Sequence, residues 1–317
     1  MASLVVSGAL FIAGLAALLL AADRFTHAAE RVGLSLGLSP FIVGVTIIAA
    51  GTSFPELVAA VLAAAQDAPG IVVGNVVGAN LANVFLILGV AAVVGRDLRV
   101  DRDLMRVDLP LLVGSAFFLL VAVWDSPFTR LEGLLALAAL AVYIHFTVAA
   151  KDETVEGLVD ELEAVSHEPV GGRTYLVLAV SLVVVFLGAQ GVVTGVTDLA
   201  GQFGVGTELI AVTVLSVGTT LPELSVTVVA ARRGYTELAV GNVLGSNIFN
   251  ALAVMGVPAL LGPLTVAESI RGYALPVMVL GTLLYFFITQ DRQITRWEGA
   301  TLLLLYALFL VNLGQFV

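Results

Sequence analysis

Ten predominantly apolar stretches, most of them about as long as a bilayer is thick, run through this chain. They cover about 3–22, 39–64, 71–94, 107–124, 131–149, 173–193, 205–230, 238–261, 272–289 and 298–315. A helix needs about 20 apolar residues to cross the hydrocarbon. The chain is 59% hydrophobic and only 12% charged, against about 45–50% and 25% for a soluble domain. A water-soluble globule cannot bury that much apolar surface, so soluble enzymes and nucleic-acid binders are excluded as classes. The expected fold is an all-α membrane protein. The first stretch lacks a basic start, and Asp23-Arg24 follows it without a small-residue cleavage pattern, so it is read as a span and not as a signal peptide. No cysteine is present, which excludes disulfides and thiolate metal sites. A net charge of −10 disfavours phosphate backbones and anionic lipid surfaces as partners.

The connections are short except at 150–172, where Asp152, Glu153, Glu156, Asp160, Glu161, Glu163 and Glu168 face one Lys151. That acidic loop separates 1–149 from 173–317, with five spans expected in each. With the N-terminus outside, the inner loops carry twelve Lys and Arg, and the outer loops carry only Arg130 and Arg271. Positive charge stays inside. The expected placement is therefore a multi-pass cell-membrane protein with both termini outside and the acidic loop in the cytosol.

The two halves repeat one another. Gly51-Thr52-Ser53-Phe54-Pro55-Glu56-Leu57 matches Gly218-Thr219-Thr220-Leu221-Pro222-Glu223-Leu224. Gly74-Asn75-Val76-Val77-Gly78-Ala79-Asn80-Leu81-Ala82-Asn83 matches Gly241-Asn242-Val243-Leu244-Gly245-Ser246-Asn247-Ile248-Phe249-Asn250. Both pairs are 167 residues apart, and Arg130-Leu131-Glu132-Gly133 matches Arg296-Trp297-Glu298-Gly299 at 166. A repeat of five spans, an odd number, enters the membrane from opposite sides in its two copies. Ten transmembrane helices arranged as two inverted five-helix repeats are a transporter architecture, with a site at the midplane.

Glu56 and Glu223 fall deep inside the second and seventh spans. A carboxylate in hydrocarbon is expensive and by default marks a functional site. The plain structural reading, a protonated and hydrogen-bonded helix contact, suits one such residue better than two related by a repeat. Pro55 and Pro222 remove a helix bond to Gly51 and Gly218, so each helix should kink just before its glutamate. Freed carbonyls survive at that depth only where they line a cavity or meet a ligand. Thr52, Ser53, Thr219 and Thr220 add hydroxyls in the same turn. Asn80 and Asn83 share one helix face, as do Asn247 and Asn250, and interhelical hydrogen bonding is the simpler role for Asn75, Asn80, Asn242 and Asn247. The resulting oxygen-rich cavity, without nearby His or Cys, suits a hard cation such as calcium. One divalent ion or two sodium ions balance the two carboxylates. An empty site would leave both bare, at several kcal/mol, which makes obligatory exchange the expected mode.

These paired motifs resemble the sodium/calcium exchangers of the cation/calcium antiporter superfamily, and the likeness covers both repeats. The resemblance implies calcium-for-sodium antiport by alternating access. It implies Glu56 and Glu223 as shared calcium and sodium ligands, and Thr52 and Thr219 as carbonyl donors to calcium. Ala49 and Ser216 would offer carbonyls to flanking sodium sites, Ser53, Thr220 and Ser246 hydroxyls, and Asn83 and Asn250 would line the centre. Ala79 stands where the family usually has the serine that pairs with Ser246. That departure keeps a proton/divalent-cation antiporter of the same fold as the alternative. A membrane-embedded hydrolase using the two glutamates is a distant one, because no His orients them. No enzymatic activity and no cofactor are expected beyond the transported calcium and sodium ions. The lipid bilayer is the expected surrounding, the sequence sets no oligomeric state, and a monomer suffices. The acidic loop lacks the spacing of an EF-hand. A single lysine among so many arginines resembles proteins of salt-loving archaea, and His27, His145 and His167 lie at or near membrane edges without an evident role.

Overall fold

The computed structural model describes residues 4–65, 69–95, 97–125, 127–149, 170–202, 220–268 and 270–316. Ser216, Thr219, His167, the first half of the seventh stretch and most of the acidic loop lie outside the described residues. The described chain is almost wholly helical: α1 (Leu4–Ser35), α2 (Pro40–Thr52), α3 (Phe54–Ala65), α4 (Pro69–Gly95), α5 (Asp108–Ala122) and α6 (Arg130–Ala149). There follow α7 (Gly172–Gln202), α8 (Leu221–Arg232), α9 (Thr236–Leu261), α10 (Ile270–Ile288) and α11 (Arg296–Phe316). Six of these are long and apolar enough to span a bilayer, or seven if the bent pair α2–α3 counts as one.

The helices follow the apolar stretches closely, with two informative departures. The first stretch ends at Ala22, yet α1 continues to Ser35. Its continuation buries Phe25, Thr26, Ala29, Val32 and Gly33, a face at helical spacing, so packing carries the helix past its apolar limit. Likewise α7 runs to Gln202, where the Gln202 amide donates to Ser7 Oγ at 3.1 Å. These two long helices lie against each other, with Gly188 on the backbone of Leu18 and Gly195 on that of Phe11.

Burial separates centre from rim. Some 78% of the apolar window of α4 and 83% of that of α9 is buried, against 22% in each of α1, α6 and α7. The central pair is therefore α4 and α9, and the outer helices turn apolar faces outward. Small residues let the layers close. A Cβ on Gly133 of α6 would sit 2.9 Å from the Gly256 carbonyl of α9, and one on Gly299 of α11 would sit 2.8 Å from the Gly89 carbonyl of α4. Gly89 and Gly256 are 167 apart, so one contact occurs twice, once in each half.

Polar connections gather at the two ends of the bundle. At one end a short antiparallel pair joins β1 (Leu98–Arg99) to β2 (Gln293–Ile294). There Glu237 Oε1 accepts from the amides of Asp101 and Arg102 at 2.9 and 3.1 Å, and Asp97 Oδ1 accepts from the Arg296 amide at 2.9 Å. Arg233 pairs with Asp23 at this end. At the other end Phe128 and Leu264 exchange backbone bonds, and the guanidinium of Arg130 donates to Leu261 O at 3.2 Å. Reciprocal Thr–Glu caps begin α6 (Thr129, Glu132) and α11 (Thr295, Glu298). The repeated cap thus stands at opposite ends of the bundle.

One buried ion pair ties the first end to the interior. Arg102 Nε lies 3.1 Å from Asp108 Oδ2, with side chains 8% and 0% exposed. Tyr143 OH donates to Asp108 Oδ1 at 3.1 Å, and the guanidinium lies 5.2 Å from the Phe41 ring centroid. Removing one partner of such a pair strands the other charge, at about 3–5 kcal/mol. Asp108→Ala should therefore destabilise the protein by about 3 kcal/mol, measured as thermal unfolding in detergent. An unchanged melting temperature would show that the cluster does not hold α2, α5 and α6 together.

Candidate cation site

Two helix breaks build the site. α2 stops at Thr52, α3 starts at Phe54, and the axes bend by 40°. Ser53 between them has φ −86° and ψ 4°. Thr220, just before α8, has φ −91° and ψ 3°. Both sit in the sparsely populated bridge region, three residues before a glutamate and two before a proline. The break expected from Pro55 and Pro222 thus takes one form in both copies. Each break places its glutamate, Glu56 or Glu223, in the first turn of the following helix, where the helix dipole favours negative charge.

Both glutamates are buried, at 1% and 2% exposure. They lie close enough to repel one another when both are ionised. Ser53 Oγ donates to Glu223 Oε1 at 3.1 Å, and the Thr52 hydroxyl also bonds that carboxylate. A residue adjoining the first break thus holds the glutamate of the second. Neither oxygen of Glu56 has a hydrogen-bond partner beyond its own amide among the described residues, and Glu223 Oε2 has no partner there.

The central helices supply the surroundings. α4 widens into π-helical turns over Ala82–Ile87, and α9 does so over Asn250–Val254. Such turns cluster at functional sites. The glutamate helix of each half packs on the widened turn of the other: α3 on Asn250–Val254 and α8 on Ala82–Ile87. Asn83 Nδ2 donates to Asn247 Oδ1 at 3.0 Å, and Asn80 Nδ2 to Asn247 O at 3.2 Å. Asn80 and Asn247 are repeat equivalents in direct contact, so the two copies meet here. The oxygens of Asn80 and Asn83, the Ser246 hydroxyl and both amide atoms of Asn250 are buried without partners among the described residues.

Of the residues singled out from sequence, Thr52, Ser53 and Glu223 are joined by hydrogen bonds, and Asn83 is tied to the facing helix. Glu56, Thr220, Ser246 and Asn250 are buried around them. Ala49 is fully buried, and its carbonyl accepts from the Ser53 amide at 3.0 Å. Ser216 and Thr219 lie outside the described residues. Thr227 escaped the sequence reading. It accepts from Asn242 Nδ2 at 2.8 Å, while Asn242 Oδ1 lies 3.4 Å from Thr52 Oγ1. Only its position one helical turn past Glu223 could have marked it. No group of three or more His, Cys, Asp or Glu gathers among the described residues. A cation here would rest on the two carboxylates plus neutral oxygens, a donor set that suits a hard ion.

The family model described as sodium/calcium exchanger protein matches residues 6–150 and 173–314. Sodium/calcium exchanger MaX1 of Methanosarcina acetivorans is 33% identical, over 95% of this chain and 96% of its own length. A protein named putative antiporter CaxA, from Alkalimonas amylolytica, is 32% identical over 92% of this chain and 94% of its own. Among solved structures, the sodium-calcium exchanger NCX_Mj soaked with zero Na+ and Ca2+ superposes with a TM-score of 0.85 at 28% identity, covering 98% of this chain and 100% of that one.

Asn242 is the linchpin of the polar network behind the first break. Asn242→Ala strips Thr52 and Thr227 of their shared partner and leaves a buried gap, so it should lower stability by about 1–3 kcal/mol. Thermal unfolding of the purified protein measures this, and a neutral result would remove Asn242 from the scaffold of the site.

Proposed function

The chain belongs to the sodium/calcium exchanger protein family, a family of multi-pass membrane proteins, and from that premise we propose that it exchanges calcium for sodium across the membrane. Transport runs by alternating access at a midplane site between Glu56 and Glu223. The observation that carries this reading is the pair of buried glutamates at matched helix breaks, with carboxylate and amide oxygens left unpartnered among the described residues. Unpartnered buried acceptors are costly unless something positive fills the space between them. Calcium in this reading takes both carboxylates, with Thr52 and Thr219 supplying carbonyls. Sodium ions take the same carboxylates in turn, with Ser53, Thr220 and Ser246 as hydroxyl ligands and the carbonyls of Ala49 and Ser216 as further donors. Asn83 and Asn250 line the centre.

The ten-helix, two-repeat architecture belongs to this reading. Repeat-equivalent caps at opposite ends, the doubled glycine contact and the touching Asn80 and Asn247 support an inverted arrangement. The concentration of arginine at one end of the bundle supports a cytosolic setting for that end and for the acidic loop, with both termini outside. Exchange is obligatory because the emptied carboxylates repel each other in a dry interior.

Calcium-45 uptake into proteoliposomes tests the proposal. An outward sodium gradient should drive uptake, a potassium gradient should not, and Glu223→Gln should reduce uptake at least a hundredfold, the order expected when about 3 kcal/mol of charge-assisted ligation is lost. Sodium-independent uptake in the parent protein would sink it. Ala79 favours a second reading, proton-coupled exchange, because it withholds one hydroxyl from the sodium ligands. Under sodium coupling, Ala79→Ser should lower the sodium concentration for half-maximal exchange several-fold, about the worth of one added ligand bond. Under proton coupling a pH gradient alone drives uptake and that substitution changes nothing.

A further inference from the structure

In the proposed site Asn83 is an amide beside a cation, and an amide side chain has two unlike ends. Its oxygen can ligate a hard ion, and its NH2 group carries only donors and repels one. The two ends are nearly alike in shape, so packing by itself does not choose between them. If the oxygen is to face the ion, a partner must hold the nitrogen.

The facing central helix supplies that partner. Asn83 Nδ2 donates to Asn247 Oδ1 at 3.0 Å, while Asn83 Oδ1 is buried without a partner among the described residues. Asn83 stands in the widened turn Ala82–Ile87, on which α8 packs with Glu223 in its first turn. Asn247 is itself tied to α4, because its backbone carbonyl accepts from Asn80 Nδ2 at 3.2 Å. Both asparagines are buried, so water does not compete for the bond between them. Turning Asn83 alone would set its oxygen against the Asn247 oxygen. Two acceptors would then meet in a dry interior, and the Asn83 NH2 group would lose its partner.

The bond is not a by-product of the repeat. Its equivalent in the other half would join Asn250 Nδ2 to Asn80 Oδ1, and both of those atoms are buried without partners among the described residues. One central amide is thus held by its nitrogen, and the other is held by neither end.

We infer that Asn247 is a positioning residue for cation binding: by holding the Asn83 nitrogen it keeps the Asn83 oxygen turned to the ion. It acts through Asn83 and does not touch the cation. The inference rests on the reading of the centre as a calcium site and is independent of the coupling ion.

Isothermal titration of the purified full chain with calcium tests it. Asn247→Leu keeps the volume and removes the acceptor. It should weaken calcium binding about tenfold, the lower end for losing a group that orients a metal ligand. Asn247→Ser, too short to reach Asn83 and still polar, should repeat that loss, so the result does not hang on the leucine variant folding. Asn247→Asp keeps an oxygen for the Asn83 nitrogen and should bind calcium at least as tightly as the parent. A purely structural Asn247 would cost the same in any background. In Asn83→Asp both ends of the side chain are oxygen, so its orientation ceases to matter, and adding Asn247→Leu should change affinity by less than about twofold. Parental affinity in the folded leucine or serine variant, an equal loss in Asn247→Asp, or a further loss of about tenfold in the double variant would each overturn the inference. A parent protein that binds no calcium would overturn the reading of the site itself, and the inference with it.

Discussion

Two carboxylates sealed in an apolar bundle, with too few hydrogen-bond donors around them, form the constraint from which the rest of the structure follows. A protein has three ways to tolerate such groups: protonation, donors or a cation. The described surroundings supply few donors. Ser53 and Thr52 reach Glu223, whereas Glu56 receives nothing beyond its own amide. The local backbone fits the third route. Breaks at Ser53 and Thr220 and widened turns at Asn83 and Asn250 all open the helical bonding pattern. Each weakens its own helix, and all four surround the same few side chains.

Those defects need a stiff frame. Close-packed glycines bring α6 onto α9 and α11 onto α4, and the Asn242–Thr227 bond ties α9 to α8 behind the glutamate. The ends are closed separately, by β1 with β2 and the Arg102–Asp108–Tyr143 cluster on one side and by the Phe128–Leu264 bonds on the other. Strain at the centre is thus bracketed by satisfied polar contacts at both ends. The long pair α1 and α7 stands apart from this frame, largely exposed and held chiefly to itself.

The sequence made much of this legible because the relevant signals are short-range. Apart from the far ends of α1 and α7, apolar length marked the ends of the described helices to within a few residues, since the hydrocarbon dictates length directly. Pro55 and Pro222 announced the breaks, because a missing amide acts on the turn that contains it. The extension of α1 past Ala22 was not legible, since the buried face of Phe25, Ala29 and Val32 exists only against neighbouring helices. The π-helical turns were equally silent, because no residue type encodes them. Thr227 and the cross-repeat bond from Ser53 to Glu223 depend on which helix faces which, and a linear pattern does not contain that. The short strand pair falls in the same class, with its partners nearly 200 positions apart in the chain.

The two halves share a sequence pattern and matching helix breaks without sharing the hydrogen bonds around their glutamates. Ser53 bonds Glu223, and the reciprocal arrangement would bring Thr220 to Glu56, yet both oxygens of Glu56 lack side-chain partners among the described residues. Ser246 has Ala79 as its repeat equivalent, so the donor sets differ as well. A site with perfect twofold symmetry would look the same from both membrane faces and favour neither. An unequal division of hydrogen bonds between equivalent glutamates corresponds, in the proposed cycle, to one of two arrangements related by a pseudo-twofold axis in the membrane plane. In the proposed cycle the cation chooses between them by completing whichever carboxylate the protein leaves bare, and access alternates as that role passes from one half to the other.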